Sequence, residues 1–160
     1  MTDFKFPIYI CEDNPKQRQW LADLIERYVM IEDYPMDLAC VTGDPGKLLN
    51  SWTDRRGNAI FFLDIDLQHE LTGMDIARQI RQYDDGAKII FVTTKEDYLP
   101  LSLRYKVQAL DFIPKDDMDD MAQRVKECLD TINNWRSLNG QAKQVFNFKQ
   151  GKSQISLSYD

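Results

Sequence analysis

The 160-residue chain has no apolar run approaching the length of a membrane span, and its start lacks the charged, apolar and small-residue regions of a secretion signal. It has no basic tract. Its 20 lysines and arginines face 26 acids, for a net charge of -6, so it carries no electrostatic footprint for nucleic acid by itself. Cysteine is scarce: Cys11, Cys40 and Cys128 lie far apart, without the C-x-x-C spacing of a metal or redox pair. Each sits in an apolar stretch, so free buried thiols in a reducing cytoplasm are expected. Histidine is scarcer still, with only His69, placed in a polar loop and read as solvated. No internal repeat or low-complexity segment occurs. What is present is a 43% hydrophobic composition, enough for the core of one domain with a small appendage.

The most informative stretch is Ile60-Phe61-Phe62-Leu63-Asp64. Four apolar residues without alternation want burial on both faces, as in a central strand of a parallel sheet. The run stops at a carboxylate, and open α/β sheets do their chemistry at the carboxyl ends of their strands.

Similar runs recur. Pro7–Cys11 reads as a first strand ending at Glu12-Asp13, and Asn14-Pro15 has the chemistry of a helix start. Leu21, Leu24, Ile25 and Tyr28 give residues 15 to 30 a helical face. Met36–Val41 reads as a second strand, and Pro45–Trp52 as a short helix. Thr72-Gly73 opens a helix with Met74, Ala77 and Ile80 inward, and Lys88–Val92 is a fourth strand ending at Thr93-Thr94. A short helix is expected over about Asp97–Tyr105, then a fifth strand over Ala109–Ile113, followed by Pro114-Lys115. Asp116 and Asp117 suit the start of a last helix, with Met118, Met121, Val125, Leu129 and Ile132 inward. Beyond Asn139-Gly140, Val145–Lys149 and Ile155–Tyr159 read as two strands around Gln150-Gly151. The expected fold is therefore α/β: a flavodoxin-like (βα)5 doubly wound parallel sheet of order 2-1-3-4-5, plus a C-terminal β-hairpin fragment.

In that order Glu12, Asp13, Asp64, Thr93 and Lys115 converge on one crevice. Three carboxylates in a small volume repel one another unless a cation is present, and all-oxygen ligation suits Mg²⁺. The backbone carbonyl of Asp66 is a candidate further ligand. A phosphoryl group arriving at Asp64 would meet the metal, the Lys115 charge and the Thr93 hydroxyl, an arrangement suited to phosphoryl transfer onto a carboxylate.

Glu12-Asp13, Phe62-Leu63-Asp64, Phe91-Val92-Thr93 and Phe112-Ile113-Pro114-Lys115 resemble, in order and wording, the receiver domain of two-component response regulators. The resemblance covers roughly residues 6 to 135. The stretches 10–18 and 109–117 bring it nearer to the LytTR-type regulators of Gram-positive quorum sensing, the AgrA/ComE-like branch. The domains implied are a receiver over 1–137, then a linker and the truncated start of a LytTR DNA-binding domain over 138–160.

The resemblance implies that Asp64 takes phosphate from a phosphohistidine on a membrane sensor histidine kinase, with Mg²⁺ held by Glu12, Asp13, Asp64 and the Asp66 carbonyl. It implies that Thr93 and Lys115 bind the phosphoryl group, and that Thr93 and Phe112 act as switch residues. Such a protein is no enzyme beyond catalysing its own phosphorylation and dephosphorylation. Phosphorylation would drive homodimerisation through the face of the fourth helix, fifth strand and last helix. Promoter DNA would be read only through the LytTR domain.

Two departures stand out. Asp116 follows Lys115 where many receivers have proline, and Thr94 is larger than the usual residue after the threonine. Two other readings stay open. One is an aspartate-nucleophile phosphatase of the haloacid dehalogenase type, whose D-x-D start Asp64-Ile65-Asp66 mimics, although there the acidic pair comes last. The other is a receiver-like interaction module that is never phosphorylated.

Overall fold

The computed structural model describes residues 4–94 and 106–151, with 137–151 described by backbone alone. In chain order the elements are β1 (Phe6–Cys11), α1 (Pro15–Glu32), β2 (Met36–Thr42), α2 (Pro45–Ser51), β3 (Ile60–Leu63), α3 (Gly73–Tyr83), β4 (Lys88–Thr93), β5 (Asp111–Pro114) and α4 (Met118–Gly151). All five strands are parallel in one sheet of order β2-β1-β3-β4-β5. The helix expected over 97–105 lies outside the described residues. The chain divides into two units, 1–128 and 129–160, the second helical through Gly151. None of the described helices is long and apolar enough to cross a membrane.

The central strands are buried on both faces because their sequence offers no polar side to water. Ile60, Phe61, Phe62 and Leu63 are all fully covered. Side chains alternate across a sheet. Tyr9, Cys11, Phe61, Leu63, Ile89 and Phe91 therefore share one face and pack with Leu48, Met74, Ala77 and Ile80 of α2 and α3. Ile8, Ile10, Phe62 and Ile90 point to the other.

Local chemistry sets the helix starts. The Asn14 side chain accepts from the N–H groups of Lys16 and Gln17, with Pro15 at the first helical position. Thr72 and Asp75 form a reciprocal capping box at α3. Asp117 accepts from the N–H groups of Asp119 and Asp120.

Two expectations fail. Met118 is 58% exposed rather than inward, because it stands at the first residue of α4, beside a surface cleft; Met121 and Val125 do face inward. Val145–Lys149, expected as a strand, continues α4 as helix. An isolated two-stranded hairpin is marginal in water, whereas a helix satisfies its backbone without a neighbour. The expected second strand, Ile155–Tyr159, lies outside the described residues.

Candidate functional site at the carboxyl edge of the sheet

Register brings the first two acids together. Cys11 pairs with Leu63, so the next residues, Glu12 and Asp64, leave β1 and β3 abreast, and the Asp64 N–H donates to the Cys11 carbonyl at 3.0 Å. Glu12 is 4% exposed and Asp64 7%; Asp13 is half-buried. One carboxylate oxygen from each of these three residues lies within 4.8 Å of the others.

Lys115 reaches the same point from the β5 end. Pro114 pairs with Thr93, and the Lys115 N–H donates to the Thr93 carbonyl at 3.1 Å, which fixes the two termini side by side. The Lys115 ammonium donates to Glu12 Oε1, to Asp64 Oδ2 at 2.7 Å and to Gln17 Oε1 at 2.7 Å. Burial pushes the Glu12 carboxyl up to about 7, against the opposing pull of the hydrogen bond from Lys115. Thr93 is buried at the end of β4. Asp66 sits two residues past Asp64, and its N–H donates to Asp64 Oδ1 at 3.2 Å. The Phe112 ring is half-buried and packs against Phe91 with centroids 4.7 Å apart.

In their ionised forms, three carboxylates against one ammonium leave two uncompensated negative charges at this edge. The donor set is oxygen only, which suits a hard divalent ion. A cleft of about 350 Å³ opens alongside, lined by Trp20, Leu21, Val92, Met118 and Met121 together with Glu12 and Lys115.

Residues outside the cluster matter here, and sequence reasoning had given them no part in the site. Gly73 is one: a Cβ there would lie 2.1 Å from the Asp64 carbonyl oxygen, so only glycine lets α3 start against the Asp64 backbone. Gln17 is another, as a third acceptor for Lys115. His69 is exposed, and its ring accepts the Leu71 N–H. The three cysteines are unbridged; burial pushes Cys11 and Cys128 up to about 12, so neither is an accessible thiolate.

Fold and edge together define a doubly wound, flavodoxin-like protein with its charged residues gathered where the strand order reverses. More particularly, the chain belongs to the response regulator receiver domain family, whose profile matches residues 8–126. It is 36% identical over 155 residues to accessory gene regulator protein A of Staphylococcus epidermidis, and equally to that of Staphylococcus aureus. The match covers 96% of this chain and 65% of those relatives, so the chain spans about two thirds of their length. Among solved structures, a response regulator receiver domain from Clostridium thermocellum superposes with a TM-score of 0.65 at 20% identity, covering 82% of this chain and 97% of that one. Response regulator TrrA of Thermotoga maritima, solved in complex with Mg²⁺-BeF, gives 0.54 at 25% identity, covering 76% and 96%.

Proposed function

We propose that this receiver domain is a phosphoacceptor, with Asp64 the residue that takes the phosphoryl group. The observation that carries the reading is the Lys115 ammonium shared between Asp64 and Glu12, with the Asp13 carboxylate within 4.8 Å. Glu12, Asp13, Asp64 and the Asp66 carbonyl would hold Mg²⁺, a reading supported by the all-oxygen cluster and by the Mg²⁺-BeF bound to TrrA. When bound, the ion supplies charge neutralisation to the phosphoryl oxygens.

The step itself is a transfer. An Asp64 carboxylate oxygen forms a bond to phosphorus as the phosphorus–nitrogen bond of a phosphohistidine breaks; the electron pair stays on the imidazole, which then takes a proton. Lys115, displaced from Asp64 by the arriving group, follows its charge, and the Thr93 hydroxyl donates to a phosphoryl oxygen. Thr93 and Phe112 are the switch residues: Thr93 ends β4 beside Lys115, and Phe112 lies in β5 three residues before it, packed against Phe91. The domain performs only its own phosphorylation and dephosphorylation and turns over no separate substrate.

A membrane sensor histidine kinase in a quorum-sensing system is the proposed donor, with the domain itself in the cytoplasm. The likeness to accessory gene regulator protein A supports this, and the greater length of those relatives supports a linker and then a DNA-reading LytTR segment following the receiver, from residue 138 onward. Phosphorylation would favour a homodimer.

The test is acetyl phosphate with Mg²⁺. We expect one hydroxylamine-sensitive acyl phosphate per chain, absent in Asp64→Asn. An unchanged signal in that variant sinks the assignment, and steady turnover of a phosphate ester would favour a phosphatase. Sedimentation with beryllofluoride tests the dimer separately: an unchanged mass rejects it.

A further inference from the structure

The acids at the carboxyl edge are aimed by a loop, and one side chain grips that loop. Arg18, one turn into α1 and half-buried, folds back toward the start of its own helix. Its Nη1 donates to the Glu12 carbonyl at 2.8 Å and toward the Asp13 carbonyl at 3.4 Å. On the other side, the Glu12 N–H donates to the Thr42 carbonyl at 3.0 Å. The Glu12-Asp13 dipeptide is thus clamped through its backbone, and its two carboxylates remain available to the cluster.

The β2–α2 loop leaves room for this grip. A Cβ on Gly43 would lie 2.8 Å from Arg18 Nη1 and 3.2 Å from both the Asp13 Cα and the Glu12 carbonyl oxygen. The absent side chain of Gly43 and the presence of the guanidinium are therefore one feature. We infer that Arg18 is a positioning residue for the metal-binding carboxylates, seated in a slot that Gly43 keeps open. This rests on reading the cluster as a Mg²⁺ site.

Arg18 acts on that site in two opposed ways. Its charge opposes a nearby divalent cation. Its hydrogen bonds hold two ligands in the geometry the cation needs, and partners that orient ligands typically govern affinity by ten- to a hundredfold. The inference is that orientation outweighs charge. Arginine suits the task because its rigid, planar guanidinium aims the two N–H groups of Nη1 at neighbouring carbonyls, whereas a lysine presents a freely rotating point charge.

Calorimetric Mg²⁺ titration of the full chain decides the matter, with the thermal midpoint recorded alongside. We expect Arg18→Met to weaken binding by about tenfold, Arg18→Lys to recover part of that loss, and Gly43→Ala to match Arg18→Met. The double variant should be no weaker than either single, since both remove the same contact. Binding by Arg18→Met as tight as wild type, or tighter, would overturn the inference, as would losses that simply add in the double variant. Absence of Mg²⁺ binding by the wild type would instead overturn the reading of the cluster, and the inference with it.

Discussion

The two ends of the sheet hold similar charged residues in opposite arrangements. At the amino end, Asp84 is buried, yet Oδ2 accepts the Gly57 N–H and Oδ1 the Gly86 N–H, each at 3.0 Å. Nearby, Lys88 Nζ donates to the carbonyls of Gly57 and Gly86. Arg81 donates to five carbonyls, those of Asp84, Asp85, Ala87, Val107 and Gln108. There, side chains answer backbone. At the carboxyl end, Glu12 and Asp64 each accept one backbone N–H, from Asn14 and Asp66, but their other oxygens share Lys115 and face each other and Asp13. An acid whose two oxygens both answer N–H groups is a staple, whereas acids with oxygens left facing other acids suit a cation between them.

The contrast can be broken from either side. Gly73→Ala should strike hardest: the added Cβ must displace the Asp64 backbone, and a misplacement near 1 Å costs about a hundredfold in labelling rate. Quantitative acetyl phosphate labelling reads this. Lys115→Met should slow labelling by some tens of fold while Mg²⁺ binds at least as tightly, because a competing cation leaves the same oxygens. Weaker Mg²⁺ binding in that variant would mean that the lysine orders the acids rather than competing for them.

Asp84→Ala should do the converse. The N–H groups of half-buried Gly57 and exposed Gly86 lose their acceptor, at a cost of about 2 kcal/mol in urea unfolding, with labelling rate and Mg²⁺ affinity unchanged. Equal damage to labelling would erase the division of labour between the two ends.

The smallest effect is on pH dependence in the presence of chelator. Glu12 is raised from 4.5 to about 7 in the folded chain, chiefly by burial, so the folded state holds its proton more firmly than the unfolded one. Its contribution to stability is complete below about 4.5 and is lost as pH rises through about 7. Wild type should therefore lose stability relative to Glu12→Gln across that window; parallel thermal midpoints for the two would show that Glu12 is not so perturbed.

Much of this was legible in the chain. Strands buried on both faces announce themselves as unbroken apolar runs, and Ile60–Leu63 did so. Asn14-Pro15 and Thr72 are local signals that need no tertiary context, and the observed caps match them. Acids and a lysine at successive strand ends point to one edge once the strand order is assumed. Side chains that recognise backbone carbonyls are another matter. Arg18 and Arg81 bind whatever residue type supplies the carbonyl, so no spacing or partner type betrays them. Gly73 was read as part of a helix start, because its close approach to Asp64 is a fact of two segments nine residues apart. The strand expected at Val145–Lys149 failed because its one expected partner, Ile155–Tyr159, would make a lone hairpin, which is marginal in water, whereas helix satisfies the backbone locally.

The cleft beside Lys115 carries one more consequence. Trp20 lines it together with Glu12 and Lys115, whereas Trp52 is buried against Phe61. The molecule thus contains a native optical reporter at the cleft and a shielded one in the interior, so once the exposed Trp135 is replaced, ion and phosphoryl arrival can be followed by indole emission without attaching a dye.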